Sequence, residues 1–304
     1  MPKSKPAFSV VVLSHNTSKI LRDCLESLYS RNKNVDFEVI IIDHNSQDDS
    51  IKMLSDFKKT HKNFTLLVRK DNPGFGVGCN NAAKLACGEY LVFLNSDTLF
   101  VENTLKNIKN KLITQPNLGV YSIKLLNRDQ SFQPSGGSFP NLVNLFMWQF
   151  AIDDIPILGN FVKSFHPKEN SASYKTGPDW VTGAFMVVPK KVYDTVDGFD
   201  EQIFMYTEEM ELAYRLSLLG KQVVYDQGEK LIHLGGASSG SYLALTSEVK
   251  NIIYFWQKHK PAWQLPVVKF IIAIGSLLRL LFFGIIKQNE TSKKAYRECF
   301  RLSL

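Results

Sequence analysis

An aspartate stands just after a strongly apolar run of the sequence. Residues 90–94 are apolar enough to be buried on both faces of a sheet, and the next four residues are Asn95, Ser96, Asp97 and Thr98. Carboxylate oxygens bind hard divalent cations, and such a cation stabilises negative charge that develops on a substrate. We therefore predict that Asp97 binds Mg²⁺ or Mn²⁺, while Asn95 adds an oxygen ligand or a hydrogen bond to the bound substrate. A single carboxylate is sufficient because Mg²⁺ commonly takes only one or two from a protein.

A second acidic group begins the helix predicted at residues 207–220. Four residues recur there at the spacing of one helix face: Glu209, Leu212, Leu216 and Leu219. Glu209 is therefore predicted to point into a cleft and to act as a general base, because partial burial would raise its pKa toward a useful range. Glu208 is the second choice for the base. Glu208 and Glu211 are predicted on a solvated face with an ion pair to Arg215, and compensation of the helix dipole is the alternative role of Glu209.

Both acidic groups need a scaffold, and the chain supplies alternating strands and helices. Strands are predicted at residues 8–14, 37–43, 64–69 and 89–94, and later ones at 179–189, 221–226 and 230–235. Helical spacing lies between the early strands, with the third helix at 80–86. This order predicts an α/β fold with right-handed crossovers and a mostly parallel central sheet. Ligands bind at the carboxyl ends of the strands in such sheets.

Four successive strand ends are polar, which favours a ligand site over four unrelated turns. The polar residues are, in order, Ser14 to Asn16, Asp43 to Ser46, Asn72 to Gly78 and Asn95 to Thr98. A turn or a helix cap explains any one of them alone, and His15 and His44 are interpreted as loop residues. The glycine-rich third segment lacks the third glycine of a dinucleotide fingerprint, and the sequence contains no P-loop motif. Hydride transfer and P-loop chemistry are therefore disfavoured.

His233, Trp180 and Gly183 are three further candidate residues of the ligand site. His233 ends an apolar strand and is followed by two glycines and two serines, which leaves room for a phosphate to approach the backbone. A structural histidine with satisfied hydrogen bonds is the alternative. Trp180 and Gly183 are predicted to shape a sugar or acceptor pocket, and an ordinary strand residue and a bulge are equally good interpretations of them.

Charge and cysteine content exclude several classes of protein. The net charge of +7 arises in residues 241–304, which contain ten Lys or Arg and three Glu, whereas residues 1–240 carry 26 basic and 26 acidic side chains. The main body is therefore not expected to bind nucleic acid. The four cysteines lack CxxC spacing, which suits a reducing compartment and excludes a cysteine metal cluster. The first apolar run is too short for a signal peptide, so a cytoplasmic location is expected.

Six segments in succession resemble one known family. They are "VVVLSHN", "VIIIDHNSQDDS", "NPGFGVGCNNAA", "LNSDT", "VTGAFMVVPKKVYDTVDGFDE" and "FMYTEEMELAYRL". Together they resemble the family 2 glycosyltransferases of the GT-A fold, and within them the rhamnosyltransferase-like branch that builds bacterial surface polysaccharides. The resemblance covers roughly residues 8–240, with 126–178 unmatched. It implies a metal-dependent, inverting transfer of a sugar from a nucleotide diphosphate donor.

The resemblance also implies a role for individual residues. Asp43 stands where the family reads the donor base, and Asp97 stands at the last carboxylate of the metal-binding DxD. His233 is implied as a metal or diphosphate contact. The positions implied to line the nucleotide-sugar site are Ser14, Asn16, Asp43, Asn72, Gly74, Phe75, Gly76, Asn80, Asn95 and Ser96. Two departures stand out, because Asn95 replaces the first Asp of DxD and Glu208–Glu209 replaces the usual Glu-Asp.

The C-terminal tail is interpreted as a separate region. We expect a catalytic domain over residues 1–240, in which 126–178 form an excursion on the acceptor side, and a basic, apolar helical tail over 241–304. The stretch 265–286 is long enough to span a bilayer, but it contains Lys269 and Arg279. We therefore expect amphipathic helices that lie on the anionic, cytoplasmic face of the membrane as a peripheral anchor. A core helix packed on the catalytic domain is the alternative.

Two functions of different class fit these observations. The first is an inverting hexosyltransferase that moves a sugar, with rhamnose as the first candidate, from a deoxythymidine- or uridine-diphosphate donor to a lipid-linked or polysaccharide acceptor. The second is a non-catalytic, membrane-bound sugar-nucleotide sensor or scaffold, which the unusual Asn95 and Glu209 would permit. The oligomeric state is left open by the sequence.

Overall fold

The chain divides into two compact units in the computed structural model, which describes residues 5–153, 155, 163–167, 174, 177–235, 241–283 and 287–304. The first unit comprises residues up to 135 together with 179–204 and 208–235. The second comprises 136–178, 205–207 and 236–304. The expected domain boundary near residue 240 stays a prediction.

Parallel strands form one half of the main sheet of the first unit. They are β1 (Phe8–Ser14), β2 (Phe37–His44), β3 (Phe64–Arg69) and β4 (Tyr90–Leu94), in the spatial order β3-β2-β1-β4. The crossovers run through α1 (Ser18–Arg31), α2 (Ser50–Thr60) and α3 (Phe75–Leu85). The predicted strands are confirmed. The third helix begins at Phe75 rather than at residue 80, so much of the predicted donor loop is helical.

The other half of the main sheet is mixed. Its elements are β5 (Thr98–Leu99), α4 (Thr104–Ile113), β6 (Leu118–Leu126), β7 (Phe132–Gln133), β10 (Phe185–Pro189), α6 (Lys190–Asp194), α7 (Glu208–Leu218) and β11 (Gln222–His233). The short strand β9 (Trp180–Val181) lies outside the main sheet. The sheet continues β4-β10-β6-β11-β5, with β7 on β6. Strand β10 is antiparallel to both neighbours, whereas β6 and β11 are parallel. The α/β class and the mostly parallel sheet are thus confirmed.

One predicted boundary differs from the structure in this half. Residues 221–226 and 230–235 were expected to form two short strands, but β11 is continuous from Gln222 to His233. Its pairing with β6 shifts register between Asp226 and Lys230. An irregularity of this kind bends a strand without ending it, which explains why the polar residues at its centre resembled a turn.

Apolar clusters cover both faces of the sheet and produce three layers. The core on one face contains Leu21, Leu25, Leu28, Met53, Leu54, Leu105 and Ile108 from α1, α2 and α4. The core on the other face contains Ala82, Ala83, Leu212 and Leu216 from α3 and α7. Successive strand residues alternate between these cores, as Val10 and Val11 do, so the apolar strands are buried on both sides. The carboxyl ends of the parallel strands are thereby fixed along one edge.

The second unit is mainly helical in its described residues. It contains β8 (Gly136–Gly137), α5 (Leu142–Gln149), α8 (Ser241–His259), α9 (Gln264–Leu281) and α10 (Glu290–Leu302). Helices α8, α9 and α10 pack on one another, and α5 packs on α9. Gly275 permits the α5 contact, because a Cβ there would lie 2.5 Å from Oε1 of Gln149. Residues 284–286 of the predicted apolar stretch lie outside the described residues, as do 154, 156–162, 168–173 and 175–176 of the predicted excursion at 126–178.

Candidate active site

The ends of β1 and β2 form one hydrogen-bonded edge. The two strands pair in register, with Ser14 opposite Asp43. The buried carboxylate of Asp43 accepts hydrogen bonds from the backbone N–H and the hydroxyl of Ser46 at 2.9 and 2.7 Å. Asn16 donates its backbone N–H to Ser46 Oγ at 2.8 Å and accepts one from the backbone of Gln47. The sequence marked Ser46 only as part of a polar strand end, and the structure shows that it holds Asp43 in place while leaving carboxylate lone pairs for a ligand.

The third strand end is held by a histidine and a glycine. Asn72 Oδ1 accepts from Gly74 N and from Nδ1 of His44, each at 3.2 Å. Burial lowers the pKa of His44, so its ring is neutral and acts as a fixed donor. Gly74 has φ +99°, and a Cβ there would lie 2.3 Å from the carbonyl oxygen of Phe204. Phe75 then begins α3, whose N-terminal N–H groups lie beside this loop.

Asn80 and Gly76 lie in packing contacts rather than at the open edge. Asn80 Oδ1 accepts from the Tyr193 hydroxyl at 2.6 Å and from Phe199 N at 2.9 Å. Asn80 Nδ2 donates to Phe199 O and to Glu201 Oε1. A Cβ at Gly76 would lie 3.1 Å from Phe199 Cβ. Asn80 therefore holds the 193–201 segment against α3, a structural role that differs from the predicted contact with the donor.

The fourth strand end brings Asp97 next to His233. Strand β11 pairs antiparallel with β5, so that His233 lies opposite Thr98, and Leu234 N donates to the carbonyl oxygen of Asp97 at 2.9 Å. This backbone pairing places His233 Nε2 3.2 Å from Asp97 Oδ1 and 3.3 Å from Asn95 Nδ2. We call Asn95, Asp97 and His233 the aspartate edge. Residues 236–240, predicted to leave room for a phosphate, lie outside the described residues.

The spacing of the aspartate edge fits one divalent cation. Two ligands about 2.1 Å from an octahedral ion in neighbouring positions lie about 3 Å apart, which matches the distance between Asp97 and His233. Over the described ranges, no group of three or more His, Cys, Asp or Glu side chains is arranged to hold a metal. An ion here would therefore take its remaining ligands from water, from the Asn95 amide or from the phosphates of a substrate.

The predicted orientation of the acidic helix is partly wrong. Helix α7 begins at Glu208, and its buried residues are Glu208, Met210, Glu211, Leu212, Ala213 and Leu216. Glu209 is half-buried, while Leu219 of the predicted stripe is 57% exposed. Glu208 and Glu211, expected on a solvated face, are 5% and 0% exposed. Periodicity misjudged them because α7 is covered on more than one side. We call Glu208, Glu209 and Glu211 the glutamate turn.

The predicted ion pair between Glu211 and Arg215 is confirmed, but it is buried. Arg215 Nε lies 2.8 Å from Glu211 Oε2, and Nη2 lies 2.7 Å from the same oxygen. The guanidinium also donates to the carbonyl oxygens of Val196 and Gly198. The segment 196–198 thus lies over this side of the helix. Glu211 is a structural anchor whose charge is fully compensated, which removes it from the candidates for a general base.

The surroundings of Glu208 disfavour its negative charge. Glu208 Oε2 is buried and accepts no hydrogen bond among the described residues. Burial, together with the neighbouring charge of Glu209, raises the pKa of Glu208 well above its ordinary value. Both carboxylates also add to the raised pKa of the buried Cys79 thiol, so the turn lies next to α3. Because its surroundings disfavour the ionised form of Glu208, Glu209 is the better placed of the two carboxylates to accept a proton.

The remaining predicted residues lie near the donor loop. A Cβ at Gly183 would approach the Phe75 ring to 3.2 Å, so the absence of a side chain at Gly183 allows that ring to lie against the strand end. The Phe75 ring meets Phe199 edge to face at 5.7 Å between centroids. Trp180 is buried in β9, and Ser96 is half-buried beside Asp97. Gln133, which sequence reasoning missed, contacts His233; it lies in a segment without clean periodicity, so no sequence signal marked it.

Comparisons with known proteins identify the family of this chain. A family model described as glycosyl transferase family 2 matches residues 9–166, just over half of the chain. The rhamnosyltransferase WbbL of Escherichia coli is 24% identical over 247 residues, which cover 68% of this chain and 86% of that protein. An N-acetylglucosaminyl-diphospho-decaprenol L-rhamnosyltransferase of Mycobacterium tuberculosis is 22% identical over 227 residues, covering 68% of this chain and 71% of that protein.

A solved structure shows the same fold over nearly the whole chain. The mannosyltransferase PcManGT of Pyrobaculum calidifontis, determined with GDP-Man and Mn²⁺, has a TM-score of 0.59 at 14% sequence identity. The match covers 99% of this chain and 87% of that one. The resemblance first drawn from six sequence segments is confirmed. This chain belongs to the glycosyl transferase family 2, and it is a glycosyltransferase with a GT-A fold.

Proposed function

We propose that this glycosyltransferase moves a hexose, with rhamnose as the first candidate, from a nucleotide diphosphate donor to a lipid-linked or polysaccharide acceptor with inversion. One observation carries the proposal. The polar ends of successive parallel strands lie along one edge, and that edge ends at Asp97 and His233, which are 3.2 Å apart. A nucleotide along this edge would have its diphosphate beside Asp97 and His233, where a carboxylate and an imidazole can share a cation.

Each part of the edge has a task in this reaction. Asp43, fixed by Ser46, would accept from the donor base, and the Asn72–Phe75 loop would line the sugar nucleotide. Asp97 and His233 would hold Mg²⁺ or Mn²⁺, which neutralises the charge that develops on the diphosphate. Glu209 would take the proton of the acceptor hydroxyl as it attacks, while the protonated Glu208 keeps a second negative charge away from Glu209.

The relatives support the choice of donor and acceptor class. Both curated relatives named above are rhamnosyltransferases, and the name of the mycobacterial one specifies a lipid diphosphate acceptor. We therefore place this chain in the synthesis of a cell-surface glycan. A deoxythymidine or uridine diphosphate sugar is the first donor to test.

The decisive experiment is a panel of nucleotide sugars assayed with and without Mn²⁺. Release of nucleoside diphosphate from one donor, dependent on metal and stimulated by a lipid diphosphate sugar acceptor, is the expected result. Isothermal titration in parallel measures nucleotide binding. Tight nucleotide binding without transfer to any acceptor would instead favour the non-catalytic sensor or scaffold, which the replacement of the first DxD aspartate by Asn95 permits.

We also propose that the second unit attaches the protein to an anionic membrane surface on the cytoplasmic side. Within the described residues, one helix, α9, has the length and hydropathy that would allow it to cross a bilayer, and 28% of that span is buried. Its exposed apolar side chains follow helical spacing: Trp263, Val267, Phe270, Leu277, Leu278 and Leu281. Ten cations between residues 241 and 304 would complement anionic lipids.

The contacts of Arg279 favour a helix that lies on the membrane surface over one that spans the membrane. Its guanidinium donates to the carbonyl oxygen of Trp148 and lies over the rings of Trp148 and Tyr296, at 5.6 and 5.8 Å from their centroids. This cation is thus held inside the unit, and the exposed stripe of α9 is apolar. An amphipathic helix with one apolar face binds along a membrane interface.

Flotation with phosphatidylglycerol vesicles tests the attachment. The double variant Phe270→Asp/Leu278→Asp is expected to lose most of the vesicle-bound fraction, because it places charges in the apolar stripe. Ile113→Asp is the matched control, since Ile113 in the first unit is as exposed as Phe270, at 67% each. Unchanged binding of the double variant would show that another surface is the anchor.

A further inference from the structure

We propose that Gln133 is a positioning residue that fixes the tautomer of His233 and thereby leaves the lone pair on Nε2, the ring nitrogen beside Asp97, where a divalent cation can bind it. The proposal rests on the metal-assisted transfer proposed above. It starts from a side-chain relay in which every donor and acceptor can be assigned. The relay runs from the β6–β7 turn through Asn127 and Gln133 to His233, and all of it lies in the first unit.

The first link of the relay orients Asn127. Its Nδ2 lies 3.3 Å from the carbonyl oxygen of Phe132 and 2.9 Å from Ser131 Oγ. A backbone carbonyl can only accept, so the atom facing it must be the amide nitrogen. Asn127 Oδ1 therefore points the other way, toward Gln133 Nε2 at 2.9 Å.

The second link orients Gln133 by the same reasoning. Gln133 Nε2 donates to Asn127 Oδ1 and also to the backbone carbonyl oxygen of His233 at 3.2 Å. Both partners are acceptors in this arrangement, so the amide of Gln133 cannot be reversed without losing two hydrogen bonds. Its Oε1 must then face His233 Nδ1, which lies 2.6 Å away.

The third link sets the proton on the histidine. Gln133 Oε1 has no hydrogen to give, so His233 Nδ1 must carry the proton. The neutral ring then has its lone pair on Nε2, the atom that lies 3.2 Å from Asp97 Oδ1 and 3.3 Å from Asn95 Nδ2. A divalent cation beside Asp97 would take this lone pair in place of the Asn95 N–H. Histidine ligands commonly donate their second ring nitrogen to an oxygen, which fixes both tautomer and orientation.

The backbone around the relay leaves His233 little freedom to turn. Strand β7 is held on β6 with Gln133 opposite Leu125, and His233 is held on β5 opposite Thr98. Gly235 follows with φ +63°, and a Cβ there would lie 3.3 Å from Gln133 Nε2. The short approach between β7 and the end of β11 thus depends on the missing side chain at Gly235.

Two measurements on the full-length protein test the proposal without using sugar transfer. The ¹⁵N shifts of the His233 ring, assigned with His233→Ala and recorded without metal above the titration range of histidine, report the tautomer. Titration with MnCl₂ in the presence of UDP, followed by electron paramagnetic resonance, reports metal affinity. The wild type is expected to carry the proton on Nδ1. Gln133→Leu is expected to lose this single tautomer and to bind Mn²⁺ on the order of 10- to 100-fold more weakly.

Two further variants separate positioning from folding. Gln133→Glu keeps an acceptor at the same reach, so it should retain the Nδ1–H tautomer and most of the Mn²⁺ affinity. Gln222→Leu makes the same exchange at an exposed position at the start of β11 and should leave both readouts unchanged. A wild-type ring protonated on Nε2, or Gln133→Leu with wild-type Mn²⁺ affinity, would overturn the proposal. A chain that binds Mn²⁺ through this relay but transfers no sugar would contradict the proposed function alone.

Discussion

The aspartate edge and the glutamate turn differ in how far the negative charge of their carboxylates is compensated. The edge has one carboxylate, Asp97, with a neutral amide and an imidazole beside it. The turn has three carboxylates within four residues, of which Glu211 is neutralised by Arg215 and Glu208 by a raised pKa. A site that binds a cation from solvent gains from an uncompensated charge, whereas a buried turn must remove its excess charge in order to fold. Each region therefore has one carboxylate left for chemistry.

Removal of the edge carboxylate should have the largest effect. Asp97→Ala leaves His233 as the only charged or ionisable ligand of the edge, so metal-dependent turnover is expected to fall below detection. Nucleotide-sugar hydrolysis measured across a Mn²⁺ titration checks this. Asp56→Ala, at an exposed i,i+3 pair with Lys59, is the control. Full turnover of Asp97→Ala would mean that the metal, if one is used, binds elsewhere.

The free carboxylate of the turn is expected to matter nearly as much. Glu209→Gln should lower turnover by something on the order of 10²- to 10⁴-fold with nearly unchanged donor affinity, because a positioned base is removed and the shape is kept. The acidic limb of the wild-type pH profile should disappear in this variant. Single-turnover kinetics and donor titration measure the two quantities separately.

Glu208→Gln is the matched control for this assignment. It should cost much less activity, since burial and the charge of Glu209 raise the pKa of Glu208 and so disfavour its ionised form. An inactive Glu208→Gln beside an active Glu209→Gln would shift the base by one residue. Glu209→Asp is informative in addition, because its activity reports whether the pocket has adapted to the longer side chain.

The two regions also differ in how much the sequence revealed. Asp97 was predictable because a strand buried on both faces ends at a known edge, and the position of a strand end is a local property. Burial of Glu208 and Glu211 was not predictable from helical spacing. Spacing assigns each residue to a face of its own helix, but the partner of that face, residues 196–198 over Arg215, is distant in sequence.

Prediction of the fold from the sequence is limited in the same way. Strands β1 to β4 and the helices between them were correctly predicted from apolar runs and turn signals. The order beyond β4 was not, because β10 inserts between β4 and β6 although it lies about sixty residues after β6 in the sequence. The contact between Gln133 and His233 joins residues 100 positions apart and depends on the pairing of β11 with β6. Local patterns carry no information about such pairings.

Because Arg215 compensates the buried charge of Glu211, replacing Arg215 is expected to lower the free energy of unfolding strongly. Arg215→Met leaves the Glu211 carboxylate buried without a partner, which is expected to cost about 3–5 kcal/mol in the free energy of unfolding. Arg301→Met is the control, because Arg301 is 81% exposed and 3.9 Å from Glu298, and exposed pairs contribute little. Urea denaturation measures both. The double variant Glu211→Leu/Arg215→Met should recover much of the loss, and its failure to do so would mean that the contacts of Arg215 with the backbone dominate.

The edge offers the reverse test, in which charge is added. Asn95→Asp restores a second carboxylate beside Asp97, so Mn²⁺ should bind on the order of tenfold more tightly. Electron paramagnetic resonance of free Mn²⁺ during a titration measures the change. Asn95→Ala serves as the comparison, since it removes the amide without adding charge. Weaker Mn²⁺ binding by Asn95→Asp would indicate that the amide of Asn95 is needed as a hydrogen-bond donor to His233 rather than as a ligand.

The smallest effect concerns the proton that Glu208 retains. In the unfolded chain Glu208 ionises near its ordinary pKa of 4.5, whereas in the folded protein it keeps its proton to higher pH. Above pH 4.5 the folded state therefore binds more protons than the unfolded state, and the stability of the wild type falls as the pH rises toward the folded pKa. The slope is at most about 1.4 kcal/mol for each pH unit. Glu208→Gln cannot titrate, so its stability relative to the wild type should increase as the pH rises above 4.5 toward the folded pKa of Glu208.

Urea denaturation of wild type and Glu208→Gln at several pH values measures this difference directly. Glu290→Gln, at an exposed pair with Lys293, is the control and should run parallel to the wild type. A gap between Glu208→Gln and wild type that stays constant with pH would mean that Glu208 is ionised in the folded protein. The negative charge of the turn would then lie on both neighbouring residues, and the division of labour between a proton-holding Glu208 and a proton-accepting Glu209 would be wrong even if Glu209→Gln were inactive.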